Sequence, residues 1–473
     1  MSALAIRALG SKRKKIVVMA AVAAYGTLCL FAMAVGLRAQ STLLLVAAIV
    51  LPIAPFAFVA ALRAPLIFPF CLYMAFIPFE NLSLSGPLGS AARILAATSA
   101  CALLGQLLIK KQLLRPGRSV AIWGLWMLLL AASTMWAIDP SVSLDFLVRY
   151  AQLYMLFAVI AIVPVKWSHF LAVLAASIVG AICAAIYGDY LFLHTINVSR
   201  DNRIFMQAGD QQIDPNHFAA ALLVPFAIAL IVFLRLRFGL TKLAMLAIVC
   251  TIGSGFIISG SRGGLMATCA MLLYFALRSR YRIQLFVLGS IAAIVVTSTM
   301  SARFALALST GGAGRTFVWR TAYAAFRKAW LVGTGIGSFQ DAYDRSWFDV
   351  NHGTYVEWHI VAHNLVAQTS VELGIVGLGL VVFAWWTQFR SLAGTKAGSP
   401  YDDLRLAIEG ATLALFVSSF FLDIMWYKYT WEAFMLAALA RQYARAQAPA
   451  APAAPSLSEA DKARFDRELA AAT

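Results

Sequence analysis

Charged residues are scarce in this sequence. Only 12% of its 473 residues are Asp, Glu, Lys or Arg, which is about half the share found in soluble globular domains. Apolar residues make up 62% of the chain, and its mean hydropathy is +0.80. A water-soluble fold could not bury so much apolar surface, so we predict that lipid is the solvent for much of the chain.

Several motifs of cofactor chemistry are also missing. The six cysteines form no CxxC pair, and neither an HExxH motif nor a GxxxxGK[ST] loop occurs. His359 and His363 have the i, i+4 spacing found in zinc sites, but no third ligand is evident. The glycines of Gly333–Phe339 superficially resemble a phosphate-binding loop, yet they do not follow a soluble βαβ pattern. We therefore expect neither a bound metal nor the use of ATP.

Long apolar runs are what the sequence has instead. A spanning helix needs about 20 apolar residues. The run at 65–79 is short and holds three prolines, so it could be re-entrant or part of a broken pair. The sequence thus predicts an all-α polytopic integral membrane protein with 12 to 14 transmembrane helices. The candidate spans lie near 16–36, 42–62, 65–79, 91–109, 120–137, 145–163, 168–190, 215–234, 240–259, 263–277, 282–300, 364–389, 404–423 and 429–445.

Basic residues predict the side on which each loop lies. They concentrate in four loops, which are Lys110–Arg118, Arg235–Lys242, Arg278–Arg282 and Arg390–Lys396. By the positive-inside rule, these loops and both termini lie in the cytoplasm. Ser11–Lys15 precedes a full-length apolar span and indicates a cytoplasmic anchor rather than a cleavable signal. The net charge of +17 is therefore attributed to topology and anionic lipid headgroups, and not to nucleic acid.

The long polar segment Ser301–Ala362 then lies outside the membrane and divides the chain. We predict transmembrane helices over 1–300, this helical external loop over 301–362, further transmembrane helices over 363–445 and a disordered or weakly helical cytoplasmic tail over 446–473. Long structured loops on one side of a polytopic protein are usually functional. The functional chemistry is therefore expected at the external face.

Arginines near that face are candidates for binding an anion. Arg262 follows Ser259-Gly260-Ser261, and Arg315 follows a run of glycines, so both sit close to a helix start with free N–H groups. Snorkelling to the membrane interface would equally explain Arg262. Arg149, in the outer part of its span, and Arg203, in the loop Leu191–Ile213, are further candidates.

Histidines and a buried acid complete the candidate set. His363 lies where the long external loop re-enters the membrane, and a histidine at that depth is a functional candidate. Asp423, at the external end of the span 404–423, could orient a base, pair with an arginine or cap a helix. His217 is interpreted as part of a helix start, with Asp214 as the N-cap and Pro215 as the first helical residue.

The segment around His363 resembles a known motif. His363-Asn364, nine residues and then Gly374-Ile375-Val376-Gly377 match in type and spacing the H[NSQ]-x9-GxxG motif of bacterial O-antigen ligases. Further elements resemble this family in the same order, over roughly residues 120–445. They are Asp214-Pro215-Asn216, Ser261-Arg262-Gly263, Gly314-Arg315 with Trp319, the glycine repeat of Gly333–Phe339, and Asp423.

The resemblance implies a glycosyltransferase of the bacterial inner membrane with its active site at the periplasmic face. The donor would be O-antigen on undecaprenyl pyrophosphate, and the acceptor would be a sugar of the lipid A–core oligosaccharide. The helical architecture would be GT-C-like, typically with 12 helices, and no metal or nucleotide cofactor would be needed. Membrane lipids are the other expected partners.

Roles for the candidate residues follow from this resemblance. Arg262 and Arg315 would stabilise the pyrophosphate leaving group, and His363 would act as the base toward the acceptor hydroxyl. Direct displacement would invert the anomeric carbon. Arg149, Arg203, Asn364, Asp423 and His359 would contribute to substrate binding.

Three alternatives remain open at the level of sequence. An O-antigen or exopolysaccharide polymerase would use the same donor with a second lipid-linked glycan as acceptor. A protein O-oligosaccharyltransferase would transfer to a polypeptide. A transporter or lipid flippase is a more distant alternative. Transporters often show internal repeats and broken helices near the bilayer midplane, whereas the polar candidates here cluster at the external boundary. Proton-coupled transport would also predict acids deep within the spans, and these are scarce apart from Asp189 and Glu372.

Overall fold

The computed structural model describes residues 57–79, 90–199, 203–208, 211–291, 294, 315–351 and 360–447. The predicted span at 16–36, most of the span at 42–62, the N-terminal anchor, almost all of the tail and His359 fall outside these residues. Further helical residues lie at 57–63 and Arg282–Ile291.

Helices dominate the described residues. Short 3-10 turns follow three of them, at Ile77–Phe79, Thr134–Trp136 and Arg390–Leu392. The strands β1 (Met206–Ala208) and β2 (Gln211–Ile213) pair antiparallel in a small hairpin. The helices are α1 (Phe70–Phe76), α2 (Ala91–Lys110), α3 (Arg118–Ser133), α4 (Pro140–Ile160), α5 (Trp167–Leu193), α6 (Pro215–Arg235), α7 (Leu240–Ser259), α8 (Arg262–Arg278), α9 (Arg315–Lys328), α10 (Phe339–Asn351), α11 (Leu365–Phe389), α12 (Ser399–Ser418) and α13 (Lys428–Gln447).

Seven of the described helices are long and apolar enough to cross a membrane. They are α2 to α7 and α11, the last continued by its 3-10 turn. Lipid requires that backbone polar groups be satisfied within the segment, which a helix achieves. The prediction of an all-α multi-pass membrane protein is thus confirmed, with one short hairpin added. The total of 12 to 14 helices stays a prediction, because parts of the chain lie outside the described residues.

The described helices have two distinct ends. At one end Arg235 and Arg280 both approach Asp403, with N–O distances of 3.8 and 3.5 Å, and Arg445 donates a hydrogen bond to the carbonyl of Arg115. We call this the basic end, because the four basic loops lie there. We call the opposite end, where α7 and α12 finish and α6, α8 and α11 begin, the site end.

Helix α6 lies at the centre of the bundle. Nearly all of its side chains are buried, and α5, α7, α8, α12 and α13 pack around it. A helix that is apolar on every face is expected to be enclosed by other elements. Its first residues therefore lie in the middle of the site end.

Local signals at the start of α6 act as predicted. The Asp214 side chain accepts a hydrogen bond from the Asn216 backbone N–H at 2.7 Å, and Pro215 is the first helical residue. The same kind of cap begins α8 and α11. Ser261 accepts from Gly264 N–H, and Asn364 accepts from Ala367 N–H.

The glycine repeat is hydrogen-bonded to α11 at a kink in that helix and does not form an open loop. Gly374 has φ 65° and ψ −164°, which breaks the helical backbone. Backbone bonds run from Thr334 N–H to Val371 O and from Gly335 N–H to Glu372 O. A Cβ on Gly374 would lie 2.3 Å from the carbonyl oxygen of Leu331, so no other residue fits.

Two predicted span boundaries are wrong. The span predicted at 404–423 is α12, Ser399–Ser418, because the Ser419 hydroxyl bonds back to Phe416 O and the chain turns there. Asp423 consequently lies in a non-helical segment. The span predicted at 145–163 begins at Pro140, so Arg149 lies within the helix and not at its outer end.

Candidate active site

Three predicted site residues are brought to the site end by helix starts. Arg262 is the first residue of α8, and Arg315 is the first described residue of α9. His363 directly precedes Asn364, the N-cap of α11. Helix N-termini carry partial positive charge and unsatisfied N–H groups. Two arginines at such positions create a region that favours an anion.

The two arginines influence one another electrostatically. Burial lowers the pKa of the half-buried Arg315 below its ordinary value, the positive charge of Arg262 lowers it further, and the carboxylate of Asp214 opposes both. The Asp214 charge also acts on His363. Asp214 therefore has a second role besides capping α6, since its charge partly balances the cationic residues of the site.

His363 has the properties of a neutral base. Burial lowers its pKa below the ordinary value, and the charge of Arg315 lowers it further. Its backbone is left-handed, with φ 46°, a conformation that costs a residue other than glycine about 1–3 kcal/mol and is often retained at functional sites. A proton on His363 is therefore disfavoured at neutral pH, and one ring nitrogen is left as an acceptor.

One short segment, residues 419–427, joins these elements. Three successive carbonyls act as acceptors. That of Ser419 accepts from Leu365 N–H at 2.8 Å, that of Phe420 from the Asn364 side-chain amide at 2.9 Å, and that of Phe421 from the Arg315 guanidinium at 3.1 Å. This segment therefore positions Arg315 relative to the start of α11.

The start of α8 also contacts this segment. A Cβ on Gly263 would lie 2.9 Å from the Cβ of Phe421, so the two backbones approach as closely as glycine allows. The first turn of α8, which Arg262 begins, and the side chain of Arg315 are thereby both held against Phe421.

Asp423 supports the 419–427 segment from within. Its carboxylate accepts from the Trp426 indole N–H at 2.6 Å, and from Gln368 and the backbone of Met425. Burial raises its pKa to about 6 despite these hydrogen bonds. These partners lie in or beside the segment, so the Asp423 carboxylate can hold the segment in place.

A buried polar network links Asp423 to the glycine repeat. The Gln368 amide reaches both Asp423 and Glu372, the latter at 3.3 Å. The carboxylate of Glu372 also accepts the backbone N–H groups of Gly337 and Phe339. The repeat that superficially resembled a phosphate loop thus directs N–H groups at a carboxylate of the protein.

Residues 246–382 match the family model described as O-Antigen ligase. This segment of the chain is similar to O-antigen ligases. A comparison with curated proteins finds none that matches the chain.

The matched segment contains most of the site described above. It includes Arg262, Arg315, His363, the glycine repeat and the kinked start of α11. Asp214 and the 419–427 segment lie outside it. The carboxylate that offsets the positive charge of the site, and the segment that positions Arg315, therefore come from other parts of the chain.

The remaining predicted arginines have structural partners. Arg203 donates to the carbonyl of Ser259 at 3.1 Å and to the Asn216 side chain at 2.9 Å, which braces the start of α6 against the end of α7. Arg149 lies over the rings of Phe146 and Trp426, at 5.4 and 5.6 Å from their centroids. Both therefore make structural contacts at the edge of the site.

Sequence reasoning missed His217 as a member of the site. Its Nδ1 shares a 2.8 Å hydrogen bond with the Tyr429 hydroxyl, its ring stacks on Tyr427 at 3.9 Å, and it lies within electrostatic range of His363. The signal was present, because His217 falls in the first turn of α6, at the same end as the other candidates. The sequence pattern Asp214-Pro215-Asn216-His217 by itself predicts only a helix start.

Among the residues that the structure describes, no group of three or more His, Cys, Asp or Glu side chains is arranged to hold a metal ion. The cationic and neutral nitrogen groups at the site end instead suit phosphate oxygens and hydroxyls.

Proposed function

We propose that this protein is an O-antigen ligase. It would move O-antigen polysaccharide from undecaprenyl pyrophosphate to the lipid A–core oligosaccharide, without a metal or nucleotide. The observation that carries the proposal is that Arg262 and Arg315 begin two helices that both contact Phe421, with His363 at the start of a third helix. The family match over 246–382 supports the same class of reaction.

The arginines stabilise the leaving group. When the bond between the anomeric carbon and the pyrophosphate oxygen breaks, its electron pair stays on that oxygen, and negative charge grows there. Guanidinium groups bind phosphate oxygens in bidentate fashion, and they remain charged under all physiological conditions. The N-terminus of α8 adds N–H groups and a positive dipole end. Losing one such preorganised donor typically costs about 2.7–4 kcal/mol of transition-state stabilisation.

His363 activates the acceptor. Its neutral imidazole takes the proton of the attacking hydroxyl as the new glycosidic bond forms, and the lowered pKa keeps it unprotonated at neutral pH. A single displacement of this kind inverts the anomeric configuration. Asp214 lies within electrostatic range and stabilises the imidazolium that results.

The proposed orientation in the membrane follows from the distribution of basic residues. With the basic end in the cytoplasm, the site end faces the periplasm, and both termini are cytoplasmic. The protein then belongs in the bacterial inner membrane, where both lipid-linked substrates can reach the site from the outer leaflet. A GT-C-like architecture is part of this proposal.

The product of the transfer reaction distinguishes an O-antigen ligase from a polymerase and from a protein O-oligosaccharyltransferase. The purified protein is given an undecaprenyl-pyrophosphate glycan and lipid A–core, in chelator and without nucleotide, and the products are separated on a gel. Glycan joined to lipid A–core is the expected result. Longer chains on the donor lipid, without transfer to lipid A–core, would contradict the ligase assignment and indicate a polymerase. Transfer only to an added polypeptide would indicate a protein O-oligosaccharyltransferase.

A further inference from the structure

The imidazole of His217 is held in a fixed orientation in the first turn of α6, at the centre of the site end. Its Nδ1 shares a hydrogen bond of 2.8 Å with the Tyr429 hydroxyl. Its face stacks on the ring of Tyr427, with 3.9 Å between the centroids and 23° between the planes. A ring that is held on one face and at one nitrogen cannot rotate freely. The position of the second nitrogen, Nε2, is therefore fixed as well.

Nε2 of His217 is available to a ligand. Within the part of the chain that the structure describes, the hydrogen bond to Tyr429 is the only one that His217 makes, and the side chain is partly exposed. Nε2 is a donor or an acceptor according to the tautomer, and a hydroxyl group can pair with either. A hydroxyl of a bound substrate would therefore complete the hydrogen bonding of this imidazole.

Tyr427 connects His217 to the segment that positions the other site residues. It is the last residue of the 419–427 segment, whose carbonyls accept hydrogen bonds from Arg315 and from the Asn364 side chain. His217 thus packs against the same short stretch of chain that holds the arginine and the start of α11.

The start of α6 also touches the start of α8. A Cβ on Gly264, in the first turn of α8, would lie 2.8 Å from the Cβ of Ala219. His217 is two residues before Ala219, and it lies within electrostatic range of His363. The imidazole of His217 is therefore placed among the first turns of α6 and α8 and beside the candidate base.

The charge around His217 favours a neutral group over a second phosphate. Asp214 lies three residues earlier, and its carboxylate acts on both histidines and on Arg315. A negative charge at the start of α6 repels phosphate oxygens but not hydroxyls. The pyrophosphate thus fits at Arg262 and Arg315, and an uncharged part of a substrate fits beside His217.

We propose that His217 binds the acceptor sugar through Nε2. The sugar presents its attacking hydroxyl to His363, and a neighbouring hydroxyl of the same ring is hydrogen-bonded to Nε2 of His217. Tyr427 and Tyr429 are positioning residues that hold the imidazole. The two histidines together determine which hydroxyl is presented for transfer. This inference rests on the proposed function, because it assigns a contact to the acceptor of that transfer.

Two substitutions separate the two nitrogens of His217. The amide of Asn reaches the position of Nδ1, whereas that of Gln reaches the position of Nε2. His217→Asn keeps a partner for Tyr429 and loses the contact to the sugar, so KM for lipid A–core should rise about ten-fold. His217→Gln should recover most of this loss. KM for the undecaprenyl-pyrophosphate glycan should stay within about two-fold in both variants.

Two further variants serve as controls. Tyr429→Phe removes the partner of Nδ1 and leaves Nε2 in place, so it should raise KM for lipid A–core less than His217→Asn does. His169→Asn is the matched control, because His169 is also a partly exposed third residue of a helix, α5, but at the basic end. It should leave both KM values unchanged. Thermal unfolding shows which variants are folded.

Binding of lipid A–core to the full-length proteins in detergent, measured without donor, tests the contact separately from transfer. Affinity lost in His217→Asn and recovered in His217→Gln is the expected result. Parental affinity in His217→Asn, or a loss in Tyr429→Phe or His217→Gln as large as in His217→Asn, would overturn the inference and leave the proposed function in place. A parent that binds lipid A–core but transfers no glycan to it would contradict the proposed function, while the comparison of the His217 variants would still decide the contact. No binding by the parent would contradict both.

Discussion

At the scale of single residues, His363 combines a strained backbone with a lowered pKa. A base works in its neutral form, so activity should be lost only as the pH falls through the pKa of His363. Because burial and Arg315 place that pKa below the ordinary value of about 6.5, kcat/KM for glycan transfer should be level at neutral pH. It should decline only under more acidic conditions. A pH–rate profile measures this, and a limb that falls between pH 8 and 7 would contradict the assignment.

Arg315 gives a second prediction at this scale. It is held by the carbonyl of Phe421 at 3.1 Å, so its guanidinium is preorganised. Arg315→Ala should lower kcat by about 10²- to 10³-fold, as the loss of one preorganised donor does elsewhere. Arg315→Lys should recover little, because an ammonium cannot make bidentate contacts. Steady-state kinetics would show this.

The matched control for Arg315 lies on the same helix. Arg320 is exposed on α9, one turn and a half further along. Arg320→Ala should leave kcat within about two-fold of the parent, since an exposed charge contributes little. Equal losses in Arg315→Ala and Arg320→Ala would mean that α9 acts through its overall charge and not through one positioned guanidinium.

At the scale of elements, the kink at Gly374 determines how α11 packs against the glycine repeat. Gly374→Ala forces a Cβ to within 2.3 Å of Leu331 O in a left-handed conformation. It should destabilise the protein by at least the roughly 1–3 kcal/mol of such backbone strain. Gly379→Ala, on the same helix with nothing within 4 Å of the added Cβ, should be neutral or slightly stabilising. Thermal unfolding of both variants tests this, and equal unfolding temperatures would contradict the role of the kink.

The elements also show what the sequence could predict and what it could not. Caps such as Asp214-Pro215 act within one turn of helix, so their signal is local and the prediction of the α6 start is confirmed. The end of α12 was placed five residues too late, because apolar residues continue beyond Ser418 into the 419–427 segment. Hydropathy does not distinguish an apolar turn inside a protein from a helix in lipid.

At the scale of the whole molecule, the site depends on contacts between distant parts of the chain. The sequence motif predicted His363 and Asn364, and glycine-flanked positions predicted Arg262 and Arg315. The sequence could not show that Phe421 joins Arg315 to the start of α8, because the contact between Arg315 and Phe421 spans 106 residues. The stacking of His217 on Tyr427 is equally non-local. Local patterns thus predict which side chains are reactive, whereas packing around α6 determines which of them meet.

The most direct test of the central claim is the rate of glycan transfer in chelator by three proteins. These are the parent, His363→Ala and His359→Ala, each given an undecaprenyl-pyrophosphate glycan and lipid A–core. The account predicts transfer by the parent and by His359→Ala, and none above background by a folded His363→Ala protein. Transfer by His363→Ala at the parental rate would contradict the claim that His363 is the base of this site.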